Sequence, residues 1–263
     1  MFIIKIGGGK SINIKGIVND LATLNEKMII VHGANALRDE LAVKIGYQKK
    51  IVTSLSGYDS VLSDEVTIDL MMMAYAGIKN KRIVELCHQS GINAVGLSGL
   101  DGKLIQGKRN SGIKVREGGK TLLLRDFSGK PKSVNRELLN LLLDNNYTPV
   151  ISVPLIDENN FAINSENDDI VALLQYEFKA GKIISLIEEA GFLTDKNDPA
   201  SLLTSISKSE LEEMENKVDG RMKRKILALR KLFEADDTTV ILSDGRTEHP
   251  IIDALNGRGT TIK

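Results

Sequence analysis

The sequence predicts an α/β fold built on a mainly parallel sheet with helices over both faces. Two observations carry this. Short β-branched runs alternate with longer helical patterns along most of the chain. The runs are also apolar on both faces, as in strands buried on both sides, where one-sided sheets would alternate with polar residues. A chain of 263 residues that is 42% hydrophobic has enough apolar material for one large domain or two intimately joined ones.

The elements follow in order. Phe2-Ile3-Ile4-Lys5-Ile6 reads as the first strand, apolar except for Lys5, with a helix over residues 13–24 after it. Residues 28–31 (Met-Ile-Ile-Val) form the second strand, followed by helices over 34–45, 65–75 and 81–89. Strand 92–97 leads to an excursion at 103–132, where alternating stretches around 113–115 and 121–124 join through Glu117-Gly118-Gly119 as a β-hairpin. Helix 135–145 and strand 148–153 resume the rhythm. Residues 155–163 turn back through Asp157-Glu158-Asn159-Asn160, which marks a lobe boundary and divides the chain into residues 1–165 and 166–263. Helix 168–178 carries Val171, Leu174 and Phe178 on one face, and strand 182–187 follows it. Helix 219–233 carries Met222, Ile226, Leu229 and Phe233 as a stripe, before a strand at 238–242. Ligands of such a sheet bind in loops at the strands' carboxyl ends.

Composition narrows the function. Equal numbers of acidic and basic residues, 35 each, argue against a general nucleic-acid binder. The single cysteine, Cys87, excludes an internal disulfide, and His32, His88 and His249 are too scattered to predict a metal centre. No apolar run approaches the roughly 18 residues of a membrane span, so a soluble, untargeted cytoplasmic protein without membrane contact is expected.

Several loops carry candidate chemistry. A lysine in an apolar strand is costly to bury unless an anion meets it, and the glycines after Lys5 let backbone N–H groups approach that anion. Gly7-Gly8-Gly9-Lys10-Ser11 is not a Walker A loop, because Ile4 stands where that pattern needs glycine. Taken alone, the turn reads equally as a tight strand-to-loop connection. His32-Gly33-Ala34-Asn35 opens a helix whose free N–H groups and dipole favour negative charge, with Asn35 as an ordinary cap being the plainer reading. Gly96 to Gly102 follows a strand and contains a routine Asp-Gly turn. Asn164-Ser165-Glu166-Asn167-Asp168 precedes an apolar helix face, where Ser165 and Asp168 suit a capping arrangement and Asp168 also suits holding cationic side chains. Arg221, Lys223, Arg224 and Lys225 crowd a helix N-terminal half, where like charges oppose the dipole unless a polyphosphate binds; a solvated basic face is the alternative.

In this order and spacing, Lys5-Ile6-Gly7-Gly8, His32-Gly33, Asn80 to Leu86, Gly96 to Gly102, Asp126 to Gly129, Ala162-Ile163-Asn164, Gly220 to Lys225 and Ser243 to Arg246 resemble the amino acid kinase family almost end to end. The likeness is strongest to its [LysW]-aminoadipate/[LysW]-glutamate kinase branch, beside the N-acetylglutamate kinases. The resemblance implies an open αβα sandwich, a lobe at 1–165 for the acyl acceptor, a lobe at 166–263 for ATP, and a homodimer. It assigns Lys5 and Lys225 to neutralise the phosphoryl group in flight and Asp168 to orient both. Gly33, Ala34, Asn35, Val61 and Asn164 would line the acceptor site, and Gly8, Gly220 and Met222 the nucleotide site. Magnesium would be held mainly by the nucleotide, with no dedicated metal site. The acceptor implied is aminoadipate or glutamate carried by an acidic LysW-like amino-group carrier protein. Lys103 to Lys132, with nine basic and two acidic residues in a neutral chain, would steer such a partner or form a solvated hairpin.

Departures from the family pattern shape the expectation. Val61 stands where the family places a carboxylate-gripping arginine, and Lys49 or Lys50 is a candidate substitute. Glu188 and Glu189 stand where relatives carry a Ser-Asn/Asp nucleotide loop, and carboxylates there would repel phosphates. Ala34 replaces a loop glycine but keeps its N–H. Besides the kinase for a carrier-bound acceptor, two alternatives follow: a non-catalytic or weakly active nucleotide- or carrier-binding member, and an N-acetylglutamate kinase.

Overall fold

The computed structural model describes residues 1–53, 59–195, 197–217, 220–233 and 238–263, and for residues 59, 60, 117, 217 and 220–225 only the backbone. Eight strands form its main sheet: β1 Phe2–Ile6, β2 Met28–His32, β3 Ala94–Ser98, β4 Thr148–Ser152, β5 Lys182–Ile187, β6 Ser205–Ile206, β7 Thr239–Asp244 and β8 Thr260–Ile262. Their order is β6-β8-β7-β5-β1-β2-β4-β3. Every pairing is parallel except β7 with β8. The strands from the first 165 residues lie together on one side, those from 166 onward on the other, and the two sets meet where β1 pairs with β5.

The helices are α1 Ile14–Leu21, α2 Asn35–Lys44, α3 Glu65–Met71, α4 Asn80–Gln89, α5 Arg136–Asp144, α6 Asn167–Phe178, α7 Lys208–Lys217, α8 Gly220–Lys231 and α9 Pro250–Leu255. They divide the core in two. On one face Ile4 and Ile6 of β1 pack with Ile17, Val18 and Leu21 of α1, Ile83 and Cys87 of α4, and Ile251 and Ala254 of α9. On the other, Ile3 packs with Ile170, Val171 and Leu174 of α6 and Ile226 and Leu229 of α8. Strand residues alternate between faces, so Lys5 projects with Ile3 toward α6 and α8. Each fully buried Ile or Leu contributes about 1.5–3 kcal/mol, and β1, with Ile3, Ile4 and Ile6 all buried, is held as a rigid centre.

A second sheet, of Ala162–Ile163, Leu155–Ile156, Ile105–Arg109 and Gly129–Val134 in that order, supports the loops at one end. From it extends the expected hairpin, Ile113–Glu117 paired antiparallel with Lys120–Leu124. Its turn has φ of +56° at Gly118 and +78° at Gly119, a left-handed pair that glycine adopts without steric cost.

The six strands predicted outside the hairpin all lie in the main sheet, and the differences are local. Helix 65–75 is divided: α3 passes at Met72 into a π-helix, Met72–Lys79, that runs directly into α4. The edge strand β6, its neighbour β8 and the helices α7 and α9 were not expected. Strands of two and three residues carry too little periodicity to read, and α9 is six residues long. The predicted start of the last basic helix, Asp219, lies outside the described residues.

Candidate active site

Lys5 lies in β1 between Val31 of β2 and Ser185 of β5, near the carboxyl ends of all three strands. Its Nζ is 2.8 Å from Asp168 Oδ1 in the first turn of α6. The Lys5 side chain is only 16% exposed, so the ammonium leaves water for one carboxylate and a cavity. That cavity, of about 240 Å³, is walled by Lys5, Asp168, Ser185, Glu189 and, from α8, Ala228 and Leu229. It joins a charged end to an apolar wall, as nucleotide pockets do.

Beside Lys5 two loops press together. Gly33 N donates to Ile6 O at 2.9 Å and Ala36 N to Gly8 O at 3.0 Å. A Cβ on Gly8 would lie 2.7 Å from Asn35 N, and one on Gly33 would lie 2.8 Å from Gly8 N. Neither position admits a side chain, and the backbone N–H groups at the start of α2 stay uncovered. The N-cap of α2 is Ala34, which offers no side-chain cap, and of the first-turn donors the Ala36 N–H already goes to Gly8 O, which leaves the Asn35 N–H for an anion. Asn35 is thus no cap: it is the first helical residue, and its Oδ1 accepts from the Tyr75 hydroxyl. Burial pushes the Tyr75 phenol up to about 12, which keeps that donor protonated.

His32 is fully buried, and desolvation lowers its pKa to about 4, so it is neutral at pH 7. Asn80 Nδ2 lies 3.1 Å from His32 Nε2 and donates to Val150 O, which locks β2, β4 and α4 behind the loop. The cap of α6 is Glu166 and not Ser165. Ser165 Oγ and Asn167 Oδ1 are buried and unpartnered. Each such group costs roughly 1–3 kcal/mol, which a bound ligand or water would recover. Asn167 Nδ2 lies 3.3 Å from where a Gly33 Cβ would stand, so this side chain faces the loop as well.

Toward the smaller sheet, Asn164 Nδ2 donates to Ser63 Oγ at 3.1 Å. Its backbone ties to Phe127 O and to Gly129 N at 2.7 and 2.9 Å. Buried Asp126 accepts from Ser63 N at 2.8 Å. Val61 ends the short strand Asp59–Val61, paired with Ile51, and is 36% exposed. Lys49 and Lys50 pair with Asp39 and Asp64.

Gly220, Met222 and Lys225 lie on α8, which packs against α6 along the cavity, but their side chains are outside the described residues. Glu188 does not point freely at the cavity. Its carboxylate lies over Gly9 and accepts from the Ser11 hydroxyl and, at 3.0 Å, from Ser11 N. Those two donors hold it below the usual carboxylate range. Glu189 does reach the cavity.

Lys5, Asp168, Gly8, Gly33, Ala34 and Asn35 are thus brought together, while Asn164 and Val61 lie toward the smaller sheet. Sequence reasoning missed Ser63, Tyr75 and Asn167. Asn167 had a signal, its place inside the Asn164–Asp168 run; Ser63 and Tyr75 had none, since only the tertiary fold carries them to Asn164 and Asn35.

The sequence model described as the amino acid kinase family matches residues 1–243. A [LysW]-aminoadipate kinase of Thermus thermophilus is 37% identical, covering 100% of both chains. An acetylglutamate kinase of Methanopyrus kandleri is 31% identical, again covering 100% of both. Among solved structures, the carbamate kinase of Giardia superposes with a TM-score of 0.67 at 15% identity, over 99% of this chain and 97% of that one. With a family-wide match and full-length relatives of this similarity, the chain belongs to the amino acid kinase family.

Proposed function

We propose that this enzyme transfers the γ-phosphoryl group of ATP to the side-chain carboxylate of an aminoadipate or glutamate held by an amino-group carrier protein, in lysine or arginine biosynthesis. The observation that carries the reading is the Lys5–Asp168 pair set against the Gly8 and Gly33 loops, in a chain aligned end to end with [LysW]-aminoadipate kinases. An acceptor carboxylate oxygen attacks the γ-phosphorus, its bond to the β-γ bridging oxygen breaks, and ADP leaves with that oxygen. The product is an acyl phosphate.

Such a transfer asks for alignment and charge neutralisation more than covalent catalysis. Lys5 places one fixed positive charge at the carboxyl ends of the central strands, and Asp168 fixes its direction. Lys225, on α8, supplies the second. The backbone N–H groups of Gly8, Ala34 and Asn35 donate to the migrating oxygens, while Gly33, whose own N–H is held by Ile6 O, keeps the loop close. Each such donor is typically worth about 3 kcal/mol in the barrier. Gly220 and Met222 border the nucleotide, and Asn164, Val61 and the Asn35 loop border the acceptor. Residues 1–165 then form the acceptor lobe and 166–263 the ATP lobe. The unpaired Ser165 and Asn167 atoms suit a polar ligand at this junction. Magnesium, carried mainly by the nucleotide, supplies positive charge to its phosphates.

The basic hairpin supports a carrier of opposite charge, since Lys114, Arg116 and Lys120 are exposed there. Exposed apolar residues on neighbouring helices support a homodimer. Among the described residues no helix is long and apolar enough to cross a membrane, which suits a cytoplasmic enzyme.

The test is direct. Purified protein with magnesium-ATP and carrier loaded with aminoadipate or glutamate should yield an acyl phosphate trapped as a hydroxamate, at a rate that falls with ionic strength when carrier is limiting. Absence of hydroxamate with either loaded carrier overturns the catalytic reading and leaves a binding subunit. Equal turnover of free N-acetylglutamate removes the carrier.

A further inference from the structure

We propose that Arg125, stacked on Phe127 beside Arg109, takes the non-reacting carboxylate of the acceptor, a subsite separate from the Lys5 cavity. This rests on the carboxylate-kinase reading above.

Three observations converge. First, two guanidinium groups share one aromatic ring: Arg109 Cζ lies 3.8 Å and Arg125 Cζ 4.9 Å from the Phe127 centroid. Contact with the ring face holds both groups in place without using their N–H donors. Second, these donors are only partly met. Arg109 Nε donates to Asp126 O at 3.0 Å and its backbone N to a Glu158 carboxylate oxygen, yet its Nη2 is buried without a partner. Arg125 makes no hydrogen bond or ion pair with the described residues beyond the ring contact. A planar, unpaired guanidinium matches a carboxylate edge to edge.

Third, Arg125 borders a cleft of about 220 Å³, lined also by Glu65, Ile68, Asp69, Phe127, Phe161 and Ala162. The two acids make the cleft unsuitable for a polyphosphate. A single carboxylate is accommodated only with its charge on Arg125, its aliphatic stem lying along Ile68 and the aromatic wall. The cleft is also coupled to the acceptor site. Phe127 N donates to Ser63 O and Asn164 N to Phe127 O, both at 2.7 Å, so the Arg125 loop is stitched to Asn164 and to the start of α3. An acceptor with two carboxylates needs its second one held at a fixed distance so that the first meets the phosphoryl group in line. Arg125 is a positioning residue in this sense and does not touch the reacting atoms.

The experiment compares carrier loaded with aminoadipate against carrier loaded with 5-aminovalerate, which keeps the reacting carboxylate and lacks the other. For the wild-type enzyme, removing the second carboxylate should raise the acceptor KM about tenfold or more, the size expected of one charge-assisted pair. Arg125→Gln should raise the aminoadipate KM by a similar factor, leave the ATP KM and melting temperature unchanged, and show no discrimination between the two carriers. Arg125→Lys, which keeps charge but loses the fork, should fall between. If Arg125→Gln still discriminates as the wild type does, or weakens both carriers equally, the subsite assignment is wrong. Should no loaded carrier be turned over, titrating the two carriers by calorimetry against wild type and Arg125→Gln gives the same comparison without catalysis. Failure of the kinase reading therefore stays distinct from failure of this one.

Discussion

At the scale of single residues, the site is organised by what is withheld from water. Lys5 gives up most of its hydration in a strand whose other residues are apolar, and Asp168 returns one charge-assisted bond at 2.8 Å. Lys5→Met keeps the stem and removes the charge, so β1 should still pack between β2 and β5. Turnover should drop on the order of a hundredfold or more, as when a single transition-state donor is lost. The acceptor KM should change little. Steady-state kinetics on a variant with unaltered circular dichroism checks this, and near-normal turnover would remove Lys5 from the chemistry. This residue was legible in the sequence because a lone lysine in an apolar run before glycines has few physical explanations. Glu188 was legible only as a problem. Its carboxylate spends its charge on Ser11, where the sequence suggested a group free to repel phosphate. Local pattern identifies a charged side chain but not the direction in which it turns.

At the scale of elements, the long periodic segments were readable and the short ones were not. Each strand that builds the centre of the sheet carries several buried β-branched residues, and the sequence marked each of them. By contrast α9 is fixed by a partner 229 positions away: buried Asp20 of α1 accepts from His249 Nδ1, and also from Ile251 N and Ile252 N at the helix's open start. No local signal reports a cap supplied from another helix. The arrangement has a pH consequence. The bond to Asp20 raises the His249 pKa above the ordinary histidine value, so the folded state favours imidazolium. Its contribution is complete below the unfolded pKa of about 6.5 and is lost as pH rises through the higher folded value. The denaturant midpoint should therefore decline as pH rises above about 6.5 by more in the wild type than in His249→Asn, whose amide does not titrate. Parallel pH profiles would show that the pair does not contribute to stability.

At the scale of the whole molecule, the sheet is divided by origin in the chain. Strands from the two halves meet at β1 and β5, so the cavity at Lys5 lies at the junction of residues 1–165 with residues 166–263. The first half also exposes apolar surface that no described element covers. Val43 is 79% exposed and Ile51 67%, and Ile45, Met73 and Ile78 are also open to solvent on α2 and the adjoining π-helix. Isolated surface apolar residues are ordinary, but Val43, Met73 and Ile78 lie on two elements that pack against each other, so an association face is expected there. A second copy of the chain is the expected partner, since a two-fold axis sets the same apolar patch against itself. Val43→Glu with Ile51→Glu places like charges across that axis and disturbs no buried contact. Light scattering coupled to gel filtration should give about twice the 28.8 kDa chain mass for the wild type and the single-chain mass for the double variant. None of the residues lining the Lys5 cavity lies on α2, the π-helix or the Ile51 strand, so the double variant should retain ATP binding. A wild type that elutes as a monomer, or a double variant that remains dimeric, would place the association face elsewhere or remove it.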